Sequence, residues 1–195
     1  MPKTASTTKG QIKQASIDLF REKGYYATSI SDIARNCGIQ KSSIYYHYAT
    51  KQDILFDIFK TTMVDLEEYV VKALSAAENF EAKLKEAIKA HIFFHVDRQK
   101  EAFIADSELR GLTAENYKAI VRMRDRYDSI FQRIIQDGIE AGDFLVKDLK
   151  ILSYVIITMC TAVTNYFRPE GRLSKEEIAT LYSDFIITAM KREHF

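Results

Sequence analysis

Residues 28–51 constrain the fold of this chain more than any other stretch, because they indicate two short helices joined by a glycine turn. Ser29 is a good N-cap, and Asp32 follows three residues later as its capping partner. Gly38 suits the left-handed turn that ends the first helix. The pattern predicts a helix-turn-helix.

The second of these helices has a polar and aromatic outer face. Ile44 and Tyr48 lie four residues apart and are predicted to point inward. The side chains left on the outside are Lys41, Ser42, Ser43, Tyr45, Tyr46 and His47. Such donors suit a phosphate backbone, and the competing interpretation is an ordinary surface on which a tyrosine packs half-buried.

Only the first turn of a recognition helix normally reaches base edges in the major groove. We therefore predict base contacts by Lys41, Ser42 and Ser43. Phosphate contacts are predicted for Tyr45, Tyr46, His47 and Lys51, with Thr28 or Ser29 presenting a hydroxyl at the positive end of the preceding helix.

Charge is distributed unevenly along the chain. The formal net charge is only +1, but residues 1–51 carry eight basic and three acidic side chains. The remaining residues carry twenty basic and twenty-four acidic side chains. The positive potential is thus expected at the end that we predict to bind DNA. Without the helix-turn-helix pattern, the same charges would indicate only a solvated basic face.

Helical periodicity continues to the end of the chain, which has only 2 Pro and 7 Gly among 195 residues. Ile12 and Phe20 lie on one face of an opening helix that Gly24 ends, and Thr50 with Asp53 caps a long helix after the motif. Further helices are predicted at about 79–97, 101–109, 113–141, 148–167 and 174–192.

The predicted fold class is therefore all-α, with about nine helices in total. Residues 1–50 form a three-helix helix-turn-helix DNA-binding domain in this interpretation. Residues 51–195 form a second helical domain.

The motif resembles the TetR family of bacterial transcriptional regulators. Residues 24–34 are similar to the entry into that family's DNA-binding helices, and residues 44–48 with Lys51 are similar to its recognition helix and the following corner. The close resemblance covers about the first quarter of the chain. It implies a dimeric repressor or activator whose C-terminal domain, here residues 51–195, serves effector binding and dimerisation and releases DNA when the effector binds.

Two later stretches, 138–144 and 166–174, resemble a TetR subgroup that governs lipid or steroid catabolism and responds to coenzyme A thioesters. Both stretches have a structural character, a helix-ending turn and a loop before a cap. They support kinship more than the identity of a ligand.

The last two predicted helices are apolar on more than one face. Their apolar residues are Leu152, Val155, Ile156, Met159, Val163 and Tyr166 in one helix, and Ile178, Leu181, Tyr182, Phe185, Ile186 and Met190 in the other. A homodimer through these helices would cover the surplus surface and present two heads to a palindromic operator in double-stranded DNA. The alternative is a larger monomeric core.

Candidate effector-binding residues cluster by position in the second domain. They are His91, Phe94, His95, Arg122, Arg126, Tyr127 and Tyr166. A pocket with apolar walls and a few cationic or hydrogen-bonding groups suits a small amphiphilic anion such as a fatty acid or an acyl-CoA. An aromatic, drug-like effector is the alternative.

Some of these residues also have an interpretation that involves no effector. Arg122 and Arg126, with Asp125 and Asp128, could form a solvated, salt-bridged helix face. His91 and His95 are one turn apart, but the pattern lacks the additional ligands of a metal site, so we expect none.

Other functional classes lack support in the sequence. It has no Gly-rich phosphate loop, nucleophile elbow or His-Glu-x-x-His motif, so we expect neither an enzyme nor a cofactor. An architectural protein that binds DNA without sequence preference remains a third interpretation.

The sequence also predicts where the chain acts. Its N-terminus lacks the apolar core of a signal peptide, and the apolar run 151–164 is too short to span a bilayer. We expect a cytoplasmic protein without a membrane partner. Cys37 and Cys160 are far apart and are predicted to be buried apolar residues rather than zinc ligands.

Overall fold

The structure, a computed structural model, describes residues 7–75 and 77–191. This part of the chain contains nine α-helices and two short 3-10 helices, which confirms the all-α prediction. The α-helices are α1 (Thr8–Lys23), α2 (Ile30–Cys37), α3 (Lys41–His47), α4 (Lys51–Leu74), α5 (Phe80–Asp97), α6 (Gln99–Ser107), α7 (Ala114–Glu140), α8 (Leu149–Thr161) and α9 (Lys175–Met190). The beginning of the segment tested for a signal peptide lies outside the described residues, as does residue 192 of the last predicted helix.

Capping pairs account for several helix starts. Thr50 and Asp53 exchange backbone-to-side-chain hydrogen bonds of 2.9 and 3.1 Å at the start of α4, as predicted. Ser174 and Glu177 form a full capping box before α9. Each pair satisfies N–H groups that have no partner inside the helix.

Two predicted helices end earlier than expected. Residues 101–109 were expected to form one helix, but α6 ends at Ser107 and a 3-10 helix, Leu109–Gly111, follows. Similarly, α8 ends at Thr161 and Ala162–Asn165 continues as a 3-10 helix. In the first of these turns, the carbonyl oxygens of Glu108 and Leu109 accept from N–H groups three residues ahead, at 2.9 and 3.1 Å.

The chain packs as two compact units. One consists of the described residues up to Met63 together with Lys100–Val121, and the other consists of Val64–Gln99 and the described residues from Arg122 onward. These units are defined by packing. The functional division at residues 1–50 and 51–195 is a different kind of boundary and stays a prediction.

The first unit holds the helix-turn-helix. Helices α1, α2 and α3 contact one another pairwise. Ile12, Phe20, Ile33 and Ile44 have no exposed surface and form the centre of this packing. Burial of this many large apolar side chains fixes α3 against the other two helices.

In the second unit, α5 packs against α8 and α9. Leu84, Ile88 and Ile92 of α5 are fully buried there. The turn after α7 is held by Phe144, which forms an isolated antiparallel bridge with Lys191. A Cβ atom at Gly138 would lie 2.3 Å from the Phe144 ring, so only glycine fits at that point.

Within the described residues, no helix combines the length and apolar character needed to cross a membrane.

Candidate nucleic-acid interface

Local hydrogen bonds fix the two ends of α2. The Ser29 hydroxyl oxygen accepts from the Asp32 N–H at 3.1 Å, and the Asp32 carboxylate accepts from the Ser29 N–H at 3.0 Å and from its hydroxyl at 2.6 Å. These bonds lower the pKa of Asp32. At the other end, Gly38 adopts φ +66°, the left-handed conformation that the sequence predicts.

Helix α3 is anchored by the two residues predicted to face inward. Ile44 is fully buried and Tyr48 is nearly so. The Tyr48 hydroxyl donates to Asp57 of α4 at 2.7 Å, and Lys13 of α1 lies 3.6 Å from the same carboxylate. Burial and the Asp57 charge raise the pKa of Tyr48. The end of the recognition helix is therefore joined to α4 by a hydrogen bond, and the same carboxylate pairs with α1.

The opposite face of α3 is open to solvent. Tyr46 is 85% exposed, and Lys41, Ser42 and Tyr45 are also exposed, while Ser43 and His47 are half-buried. The rings of Tyr46 and His47 meet edge to face at 5.0 Å. Lys41, Ser42, Tyr45 and Tyr46 thus form the open face of the helix, and Ser43 and His47 lie at its margin.

A shallow depression of about 390 Å³ lies beside this face. It is lined by Ser42, Ser43, Tyr46 and His47 of α3 and by Thr8 of α1. Thr8 was not predicted from the sequence, because no local pattern shows that the start of α1 lies beside α3.

Thr28 requires a correction. Its side chain is 1% exposed, and its hydroxyl donates to the carbonyl oxygen of Gly24 at 2.9 Å. The hydroxyl satisfies a carbonyl left over where α1 ends, so the prediction that it faces a phosphate is wrong. The Ser29 hydroxyl is engaged in its capping box, and a phosphate contact there stays a prediction.

Lys51 has a structural role in addition to its predicted phosphate contact. Its Nζ donates to the carbonyl oxygens of Tyr25 at 2.7 Å and Thr28 at 2.6 Å, and it lies 4.3 Å from the centre of the Tyr25 ring. Burial lowers its pKa, while the Glu108 charge opposes that shift. Two ammonium hydrogens therefore hold the loop between α1 and α2, and a phosphate contact through the third stays a prediction.

Three of the predicted effector residues come together in the second unit. His91 and His95 stack at 4.1 Å, and Nδ1 of His91 lies 2.7 Å from the Tyr127 hydroxyl. The other ring nitrogen of His91 lies 2.9 Å from the Thr161 hydroxyl, a partner that the sequence analysis missed. We call His91, His95, Tyr127 and Thr161 the buried histidine cluster.

Burial sets the charge of this cluster. Desolvation lowers the pKa of His91 well below its ordinary value and that of His95 to about 4. The pKa of Tyr127 is raised for the same reason. Both imidazoles are therefore neutral near pH 7 and supply hydrogen bonds rather than positive charge.

Phe94 and Tyr166, two further effector candidates, have different surroundings. Phe94 is buried beside Tyr69, with ring centres 6.1 Å apart. Tyr166 is exposed and shares a 2.7 Å hydrogen bond with Tyr182. Phe94 also meets the ring of His95 edge to face, with ring centres 5.9 Å apart, so it adjoins the buried histidine cluster.

Both candidate arginines, Arg122 and Arg126, are exposed. Arg126 pairs with Glu67 of α4 through nitrogen–oxygen distances of 2.7 to 3.0 Å. The alternative of a salt-bridged surface thus fits Arg126, with a different acid from those expected. Among the described residues, no three or more His, Cys, Asp or Glu side chains cluster as metal ligands.

Two family models cover most of the chain. The model for bacterial regulatory proteins of the tetR family matches residues 12–58, and the model for the tetracyclin repressor-like C-terminal domain matches residues 77–190. The chain is 27% identical over 133 residues to the fatty acid metabolism regulator protein of Bacillus subtilis (strain 168), across 68% of this chain and 69% of that protein.

Solved structures agree in fold. A bacterial regulatory protein in the tetR family from Rhodococcus RHA1 matches with a TM-score of 0.89 and 26% identity, covering 96% of this chain and 98% of that one. AibR, crystallised with isovaleryl coenzyme A and operator DNA, matches with a TM-score of 0.81 and 23% identity, covering 94% and 97%.

The exposed face of α3, the buried anchors beneath it and the two family matches lead to one conclusion. The chain belongs to the tetR family of bacterial regulatory proteins and is a helix-turn-helix transcriptional regulator rather than an enzyme.

Proposed function

We propose that two copies of this chain bind a palindromic operator in the cytoplasm, with α3 of each copy in the major groove, and that a small amphiphilic or apolar effector releases them. The observation that carries this proposal is the solvent-open face of α3, where Lys41, Ser42, Tyr45 and Tyr46 are exposed, while Ile44 of the same helix is buried. A helix held so firmly on one side and open on the other is suited to reading DNA.

The order of side chains along α3 supports base contacts near its start and phosphate contacts further along. Lys41 and Ser42 lie in the first turn and are exposed, where base edges come within reach, and Ser43 follows them. Tyr45, Tyr46 and His47 lie further along and can donate to phosphate oxygens. Lys41 is the strongest candidate for base discrimination, because a lysine can donate to the acceptors of a guanine.

Surface on α8 and α9 supports a homodimer. Ile156, Ile178 and Ile186 are buried inside the chain, but other apolar residues of the same helices face outward. These exposed residues are Ile151, Tyr154, Val155, Leu181 and Phe185, the last being 65% exposed. A second copy that covered this surface would form a two-fold interface of four helices.

For the effector, our first candidate is a fatty acyl-CoA or a related lipid metabolite. The name of the Bacillus relative refers to fatty acid metabolism, and AibR was crystallised with isovaleryl coenzyme A. An aromatic or drug-like effector is the second candidate, because the buried histidine cluster is neutral and adjoins Phe131.

Selection of operators from random duplex DNA tests the first half of the proposal. The selected complex is then titrated with acyl-CoA thioesters and free fatty acids of several chain lengths. We expect an enriched palindrome that one thioester releases. Lys41→Ala should reduce the enrichment, whereas Lys72→Ala, an exposed lysine of α4, serves as the charge-matched control.

The outcomes separate the alternatives. Enrichment without release by any lipid would redirect the effector search to aromatic compounds. Equal binding of all sequences with a steep salt dependence would indicate an architectural protein. Turnover of a thioester would contradict the assignment as a regulator.

A further inference from the structure

The loop between α1 and α2, residues 24–28, is held from two directions within the first unit. Lys51 of α4 donates to the carbonyl oxygens of Tyr25 and Thr28. From the other direction, the Tyr25 N–H donates to the Glu108 carboxylate at 3.2 Å. Glu108 lies just beyond the end of α6, far along the sequence from the helix-turn-helix motif.

Further hydrogen bonds join the same two stretches. The Tyr26 hydroxyl donates to the carbonyl oxygen of Arg110 at 2.9 Å. The side-chain amide of Gln52, in the first turn of α4, donates to the carbonyl oxygen of Gly111 at 3.1 Å. Asn116 in turn donates to the Gln52 side chain at 2.6 Å. Residues 108–111, which we call the loop clasp, thus touch the loop before α2 and the start of α4.

Steric fit tightens this contact. A Cβ atom at Gly111 would lie 2.8 Å from the Tyr25 ring and 2.9 Å from a methyl group of Leu55. Both of those side chains are buried and have little room to move. The loop clasp therefore meets Tyr25 at a distance that only glycine allows.

The position of Tyr25 matters for DNA recognition because the loop leads directly into Ser29, the N-cap of α2. Helices α2 and α3 pack together across the Gly38 turn. A shift of the loop would move the start of α2, and α3 would move with it. A small error in the placement of α3 would misalign Lys41 with its base.

We propose that Glu108 is a positioning residue for DNA recognition: its carboxylate fixes the Tyr25 N–H and thereby the orientation of α2 and α3, without touching DNA. This inference rests on the proposed operator binding. It assigns a role in the DNA-binding head to a residue outside both the predicted domain 1–50 and the matched segment 12–58.

The direction of the change in operator affinity distinguishes a positioning role of Glu108 from a direct electrostatic effect of its charge on DNA. A carboxylate near a DNA-binding surface repels phosphate, so removal of its charge alone should tighten binding. Loss of a positioning contact should instead weaken it. The number of released counterions should stay the same in that case, because no phosphate contact is lost.

The experiment compares Glu108→Ala, Glu108→Gln and Asp106→Ala in the full chain. Asp106 is an exposed acid at the end of α6 and provides the charge-matched control. Affinity for the selected operator is measured at several salt concentrations, and thermal unfolding checks the fold.

We expect Glu108→Ala to weaken operator binding about 10-fold, as loss of one charge-assisted hydrogen bond would, with an unchanged salt slope. Glu108→Gln retains an acceptor oxygen and should stay within about 3-fold of wild type. Asp106→Ala should bind as wild type does or slightly more tightly. Wild-type or tighter binding by Glu108→Ala would overturn the proposal.

Hydrogen exchange of the Tyr25 amide in the DNA-free protein provides a second measurement that does not need an operator. Glu108→Ala should accelerate this exchange, and Glu108→Gln should not. Unchanged exchange in Glu108→Ala would refute the positioning contact even if an operator exists. Failure of the wild type to select any operator would instead refute the proposed function.

Discussion

The outer face of α3 and the buried histidine cluster are built from the same kinds of side chain, yet their surroundings differ completely. Tyr46 on α3 is 85% exposed, whereas Tyr127 in the cluster is 3% exposed. Water satisfies the polar groups of an exposed face, and a ligand can replace that water. A buried polar group must find its partners inside the protein.

Residue type alone therefore does not reveal a binding role. Burial does indicate whether a substitution will lower the free energy of unfolding or weaken binding. In the buried histidine cluster, each ring nitrogen of His91 has a hydroxyl partner. A substitution there should first affect folding. On α3, a substitution should affect DNA binding and leave folding intact.

The largest effect is expected for His91→Ala. This change leaves the hydroxyl groups of Tyr127 and Thr161 without their partner and opens a cavity. We expect a loss of about 3 kcal/mol in the free energy of unfolding, measured by urea denaturation. His47→Ala on α3 is the matched control and should change it by less than about 0.5 kcal/mol. Similar losses in both variants would break the comparison.

Acidification should lower the free energy of unfolding of the second unit, because its imidazoles are buried. Because burial lowers the pKa of His95 to about 4, the unfolded chain binds a proton below about pH 6.5 that the folded chain does not. Stability therefore falls as the pH drops from 7 to 5, by about 2 kcal/mol from this residue. His91 acts in the same direction.

Urea denaturation at both pH values, on wild type and on His95→Gln, checks this expectation. The variant lacks one titrating group and should lose about 2 kcal/mol less than wild type between the two pH values. If both proteins lost the same amount, His95 would not be the source of the dependence.

Lys41→Ala tests the exposed face of α3. We expect weaker operator binding and a relaxed base preference at one position in each half-site, by about 1–3 kcal/mol. Binding assays on the selected operator and its single-base variants measure both effects. The free energy of unfolding should not change, and undiminished operator binding would remove Lys41 from the interface.

The smallest effect is expected for Tyr46→Phe, which removes one exposed hydroxyl. Operator and random duplex should both lose about 0.5–1 kcal/mol of binding free energy, because a phosphate contact carries no sequence information. The same titrations on both duplexes test this. A loss confined to one base pair would show that Tyr46 contacts a base instead.

Local features of the fold were accessible from the sequence because they depend on neighbouring residues. The capping pairs at Ser29, Thr50 and Ser174 form as predicted. Gly38 adopts the left-handed turn, and Ile44 and Tyr48 face the core. Each involves residues at most four positions apart, where spacing alone sets geometry.

Contacts between distant residues escaped prediction. Lys51 of α4 bound two carbonyls of the loop between α1 and α2. Arg126 paired with Glu67, a residue on another helix. Each of these side chains has several possible partners within reach, and the packing of helices selects among them.

The sequence by itself determined the helices, the turn that joins α2 to α3, and the face of α3 that is available for DNA. Tertiary structure alone decided which polar residues are buried, which loop Lys51 supports, and that Glu108 meets Tyr25. The physical reason is the separation along the sequence over which each kind of interaction acts. Helix periodicity and capping act over a few residues, whereas burial and hydrogen bonds across helices depend on how segments distant in the chain come together.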